Sequence, residues 1–285
     1  MNKVKNSVSE FERIFISFIS VLSGIIILFL SINGPLVLNN IVYKTPPTGI
    51  FQIQGQDLVN IILIAQLLLI GGLLLLLSKK NYKYFLIITP LTVIYYVLSY
   101  TIGCEWSSDI YKGNSEKYSY YFLFVLISAF FIMLYTLQDF KNQGMSFKRN
   151  KLTIYTIILS FFSLMFAMMW LKEVNQVILT GTTRAYEEAP TIFWLVRYFD
   201  LGFSIPLLLL STYLLWTRAS NSLAMQMLSY GFFITMAASV NSMGIMMLIK
   251  KDPTASIPQL SIFVLLGVTV LLGYSFILKN RIKEK

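Results

Sequence analysis

Eight stretches of this 285-residue chain are apolar over lengths that cross a lipid bilayer, and no other feature limits its fold as tightly. A hydrocarbon core about 30 Å thick is spanned by roughly 20 residues of helix at 1.5 Å each. The stretches are 11–32, 58–77, 84–102, 118–137, 152–171, 192–216, 223–249 and 257–278. Apolar residues make up 56% of the chain and charged residues 13%, where soluble domains carry about 25% charge. Mean hydropathy is +0.69. The sequence predicts an all-α, polytopic membrane helix bundle of about eight transmembrane helices. Disorder, a coiled coil, a secreted disulfide scaffold and an ordinary soluble enzyme are excluded.

Charge placement orients the bundle. The net charge is +10, from 23 Lys and Arg against 13 Asp and Glu. With eight spans, Lys44, Lys112, Lys117, Lys172, Arg184, Lys250 and Lys251 fall on one side, and Arg197 falls inside a span. The remaining 15 basic residues, from Lys3 and Lys5 through Lys141 to Lys283 and Lys285, fall on the other. By the positive-inside rule that second side is cytoplasmic and holds both termini, in a multi-pass protein of the cell membrane. The basic excess is thereby explained without nucleic acid as a partner. The apolar run 14–32 is too long for a signal-peptide core of ~7–15 residues, so it reads as a retained first span. The chain has no histidine and one cysteine, Cys104. A Ser-His-Asp triad, a His-ligated metal, a thiolate metal cluster and an internal disulfide are all excluded.

Three connections are long. Segment 33–57 carries Pro35, Pro46, Pro47 and Gly49 and reads as an irregular loop. Segment 103–117 is polar. The third is segment 172–191, within which residues 177–186 have β-rich runs either side of Gly181 and read as a small hairpin. Trp106, Trp170, Trp194 and Trp216 fall near span ends, where aromatic belts form.

Of the 36 charged residues, Arg197 and Asp200 alone fall clearly inside a predicted span, the sixth. Asp57, Asp139 and Arg13 read as near-end residues that reach the headgroups. A central charge costs ~2.5–3.5 kcal/mol on insertion scales, so an intramembrane ion is a functional candidate by default. Arg197 and Asp200, three residues apart, share neighbouring faces of one helix and can pair directly or through water. Ser204 and Ser211 continue that stripe inward, and Pro206, lacking an N–H, predicts a kink. Tyr198 and Phe203 are candidate lining residues. The expected role is an ion path or a counter-ion cluster, against the plainer one of an ion pair that fixes helix packing. Hydroxyl-bearing residues in spans three, five and seven read mainly as interhelical hydrogen bonds. The methionines of span seven read as adaptable packing. Gly71, Gly72, Gly267 and Gly273 allow close helix contact.

The stretch 195–210, Leu-Val-Arg-Tyr-Phe-Asp-Leu-Gly-Phe-Ser-Ile-Pro-Leu-Leu-Leu-Leu, resembles the third helix of microbial (archaeal-type) rhodopsins. Arg197, Tyr198, Asp200, Phe203, Pro206 and the leucines match that helix, and Ser204 replaces its threonine. The resemblance extends over residues 118–285 as the first five helices of that family. It implies an outer gating arginine at Arg197 and a counter-ion at Asp200. It departs from the family in several ways. The sixth and seventh helices are missing from their place and three spans precede instead, no lysine lies in any span centre to form the retinal Schiff base, Leu201 replaces a retinal-lining tryptophan, Ile205 replaces a threonine, and Ser211 stands where proton pumps carry a carboxylate. A light-driven proton pump is therefore not expected. No covalent cofactor is implied, and noncovalent retinal or another polyene is the chromophore the resemblance leaves room for. Two helix orders stay open. In one, spans one and two take the places of the sixth and seventh rhodopsin helices. In the other, spans two to eight follow ordinary order.

The expected organisation is one continuous membrane domain, with a three-span segment at 1–117 and a five-span rhodopsin-like segment at 118–285. The expected function is ion or ligand sensing, or transport, through the Arg197–Asp200 cluster, with the lipid bilayer, ions or a small hydrophobic ligand, and a homo-oligomer as partners. An unrelated secondary transporter or channel and a structural subunit of a membrane complex are the alternatives. An enzyme is not expected, because the chain has no histidine and no second carboxylate falls inside a predicted span.

Overall fold

The protein is described by a computed structural model covering residues 2–106, 108–140 and 143–282, with side chains from residue 10 onward. The basic residues Lys141, Lys283 and Lys285, and the side chains of Lys3 and Lys5, lie outside the described residues. Among the described residues, eight apolar helices form the bundle: Glu10–Asn33, Pro47–Leu76, Tyr82–Gly103, Ser115–Gln138, Arg149–Thr180, Pro190–Thr217, Leu223–Ile249 and Ile257–Asn280, here spans one to eight. No strand occurs among the described residues, and one isolated bridge joins Met145 to Arg281. The all-α membrane bundle is as the sequence predicts. Connections 34–46, 104–114 and 181–189 gather at one end, the long-loop end.

Two local expectations are corrected. Segment 33–57 is irregular only as far as Pro46; Pro47 then opens span two, eleven residues before the apolar run. Proline at the first helical turn loses no hydrogen bond and has the helical φ built in. The 177–186 hairpin does not form. Span five stays helical to Thr180 and stops at Gly181, whose φ of 79° suits a left-handed cap. A short helix, Arg184–Glu188, follows, with the Thr183 hydroxyl accepting from the Tyr186 N–H.

Small residues set the closest helix approaches. Span one meets span two where Ser17 and Ser20 face Gly72, and Gly24 faces Ala65 and Leu69. Span four closes this group against spans one and three, with Phe15 edge-on to Phe131 and Phe122 beside Tyr96. Span seven ties it to the rest. A Cβ added at Gly55 would lie 2.5 Å from the Met243 backbone, and one at Gly231 would lie 2.5 Å from that of Ile88. The Thr92 and Thr235 hydroxyls meet at 2.5 Å between spans three and seven. Span eight lies on span seven, with Gly273 against the Tyr230 ring.

Of the charges read as near-end residues, Asp57 is corrected, while Arg13 and Asp139 lie at span ends. Asp57 has no exposed surface and lies ten residues into span two. Arg13 donates to the Leu76 carbonyl and the Ser78 hydroxyl at the end of span two. Asp139, just past span four, accepts from the Tyr82 hydroxyl at 2.5 Å. Glu173, read as a loop residue, belongs to the continuous helix of span five. Spans thus hold carboxylates beyond Asp200, which removes one of the two grounds on which an enzyme was set aside; the absence of histidine is the other.

Candidate functional site in span six

Span six is held by span three on one side and span five on the other. Tyr95 of span three packs edge-on to Phe199 at 5.0 Å. The Trp216 indole N–H donates to the Thr156 hydroxyl of span five at 2.8 Å. Between these supports the helix widens by one residue at Asp200–Ser204, a π-turn in which the Ile205 N–H reaches back five residues to the Asp200 carbonyl. Pro206 follows directly. A missing N–H at that position removes the usual four-residue bond, so the wider turn sits where the sequence implies a kink.

Arg197 does not pair with Asp200. Its guanidinium is 8% exposed and binds the Glu173 carboxylate of span five. It also donates to the Phe193 carbonyl at 3.2 Å and lies over the Phe193 and Trp170 rings at 3.9 and 4.5 Å. A carboxylate and two aromatic faces together offset the desolvation of the cation. Trp170 is therefore a partner of Arg197 rather than a belt anchor.

Asp200 is 7% exposed and accepts from the Ser204 hydroxyl at 3.3 Å. The Trp170 indole and the Tyr95 ring lie near it, and the indole N–H makes no hydrogen bond. Arg197 is close enough to act on Asp200 through space but is neutralised by Glu173. Asp200 is thus a buried carboxylate with one hydroxyl partner and no dedicated cation.

The polar stripe continues as the sequence implies. Arg197 to Ser211 is 14 residues, about 21 Å of helix, long enough to cross the bundle's middle. Ser204 and Ser211 are both buried. At Ser211 the stripe joins groups from other spans. The Gln226 amide donates to the Ser211 carbonyl at 2.5 Å, and the Tyr155 hydroxyl lies 3.5 Å from Gln226 Oε1 and 2.5 Å from the Tyr230 hydroxyl. Tyr198 and Phe203 stand apart. Tyr198 is 73% exposed on the outer face of the helix beside Trp194, and Phe203 is half-exposed against Phe199 and Phe232.

Sequence reasoning missed Glu173, Trp170 and Gln226 as members of this cluster. Glu173 had a signal: Val174, Val177 and Ile178 continue a helical spacing up to Gly181, a stop residue. Gln226 had none, because its pairing depends on how span seven crosses span six. No group of three or more metal-ligating residues occurs among the described residues. No protein-family model, curated protein or solved structure matches the chain.

Proposed function

We propose that this multi-pass membrane protein senses or transports a small cation along span six, with Asp200 as the charge that the ion meets. The observation that carries this reading is Asp200 itself: a carboxylate held inside the bundle by a single hydroxyl, at a π-turn, while the neighbouring Arg197 is taken up by Glu173. Such a charge is costly to keep, and π-turns recur at functional sites. The buried groups Ser204, Ser211, Gln226, Tyr155 and Tyr230 supply oxygens along the remaining path. The resemblance of stretch 195–210 to the third helix of microbial rhodopsins supports the same pair of residues. The excess of basic residues beside the short loops supports cytoplasmic termini and a place in the cell membrane.

A second reading, a secondary transporter or channel unrelated to rhodopsins, draws on the π-turns of spans two and six. They begin at Asn60 and Asp200, at similar depths from the long-loop end. Irregular helices near mid-membrane are how many transporters expose backbone to an ion.

Flux tests the transport form. Purified protein in liposomes is given a proton, sodium or potassium gradient, and Asp200→Asn is compared with the wild type. The expected result is wild-type flux that falls to the level of protein-free liposomes in the variant. Equal flux in both overturns transport through Asp200.

A further inference from the structure

Asp57, a second carboxylate buried inside a span, lies outside span six and does no work in the function proposed above. It is fully buried, and neither of its oxygens has a hydrogen-bond partner. It lies against the backbone of Gly34, where a Cβ would come within 3.1 Å of its Cγ. The Ser31 hydroxyl and the Leu36 backbone amide approach it. Tyr43 from the loop after span one, and Tyr96 and Tyr100 from span three, face the same carboxylate through space. Tyr43 and Tyr96 are buried, and both hydroxyls lack a partner. Tyr100 is spent on the Ile53 carbonyl at 3.4 Å.

The surroundings hold no positive charge for Asp57. Lys44, its nearest basic residue in sequence, is turned to Glu116 at 3.4 Å and to the Trp106 carbonyl at 2.7 Å. The remaining ionisable neighbour is Cys104, which acts on the tyrosines. An ordered relay fixes the floor: the Gln56 amide donates to Asn60 at 2.8 Å, and the Asn60 amide donates to Ser31 at 3.1 Å. The Ser31 oxygen already accepts there, so its own proton is free to turn. A π-turn starts at Asn60, three residues past Asp57. Four unpartnered oxygens, two carboxylate and two phenolic, thus converge from span two, span three and the connecting loop.

Polar atoms buried this deeply are nearly always satisfied, and a carboxylate left alone is the costliest exception. An all-oxygen set with one negative charge suits a hard monovalent cation. We propose that Asp57, with the hydroxyls of Tyr43, Tyr96 and Ser31, forms a site for one small monovalent cation, sodium or a proton, occluded beneath the long-loop end. The cation neutralises Asp57 and satisfies the phenolic oxygens, so its binding stabilises the packing of spans one to three.

Thermal unfolding of the full-length protein in nanodiscs tests the site. Sodium chloride is titrated against choline chloride at about pH 8, with potassium as a size control, and acidification to about pH 5.5 is run separately in choline. The wild type is expected to gain about 5 °C, saturably, as any ligand of the native state produces. Asp57→Asn is expected to unfold at or above the unliganded wild-type temperature and to lose the gain. A gain with sodium identifies sodium as the cation, and a gain on acidification alone identifies the proton; either supports the site when Asp57→Asn removes it. No gain in the wild type under either condition, or an equal gain in Asp57→Asn, overturns it. Should Asp57→Asn not fold, Tyr43→Phe carries the test: a midpoint weakened about tenfold supports the site, and an unchanged midpoint overturns it. Asp200 is intact in every variant, so any response of its own is common to all of them and cancels in the difference between the wild type and Asp57→Asn.

Discussion

Asp57 and Asp200 stand at the same depth, each ten residues from the start of its span, and each is next to a π-turn. Their surroundings differ. Asp57 lies among the first four spans, where 61% of the apolar window of span three is buried inside the protein. Asp200 lies among the last four, where the figure is 17% for span five and 6% for span eight. Around Asp57 the neighbours are tyrosine, serine and glycine, with no cation. Around Asp200 there is a neutralised arginine, an indole and a helix face bare at Tyr198. One carboxylate is sealed in a packed group and the other sits at the edge of a looser one. Stability is expected to report on the first, and movement or exchange of an ion on the second.

The largest expected difference between the regions is in thiol reactivity. Burial, and then the charge of Glu105, push the Cys104 thiol from 9.0 up to about 12. Thiolate at neutral pH then falls about a thousandfold, and labelling falls with it. A Leu179→Cys variant made in a Cys104→Ser background is expected to label freely, since Leu179 is 83% exposed at the end of span five. Equal labelling rates for the two thiols would erase the contrast.

Next in size is the join between the regions. Gly55→Leu is expected to cost at least about 3 kcal/mol in denaturation of the purified protein, because backbone of span seven occupies the space. A fully stable variant would mean that spans two and seven do not meet there. Arg197→Gln is expected to cost about 2 kcal/mol, less than a fully buried pair, because Glu173 is half-exposed and can rehydrate. Thr235→Val, which removes the hydroxyl contact with Thr92, is expected to cost about 0.6 kcal/mol. Gly202→Ala, with nothing within 4 Å, is expected to be neutral or to gain up to about 1 kcal/mol.

What the sequence made legible, and what it hid, follows from the range of the forces. Eight spans were readable because hydrophobic burial in lipid acts on each segment alone. Arg197 and Asp200 were readable because charge inside an apolar run is rare and costly. Asp57 was not, because Gln52, Gln54 and Gln56 precede it and make the segment look like loop. Only packing by Tyr43, Tyr96 and Gly34 shows it to be buried. The 177–186 hairpin was misread because β-rich residues around a glycine fit a turn as well as they fit a capped helix end. Pairing of Arg197 with Glu173 lay beyond sequence reach, since it depends on the geometry of the hairpin between spans five and six. The π-turn of span six was signalled by Pro206, whereas that of span two leaves no composition signal.

The central claim is that Asp200, rather than an Arg197–Asp200 pair, is the group that answers to an ion. Trp170 stacks on Arg197 beside Asp200 and gives an internal reporter. Tryptophan fluorescence of the protein in nanodiscs is to be titrated with protons, sodium and potassium, in the wild type, Asp200→Asn and Trp170→Phe. The account predicts a saturable change in the wild type that is lost in both variants while each still unfolds cooperatively. Superimposable titrations of the wild type and Asp200→Asn would contradict it.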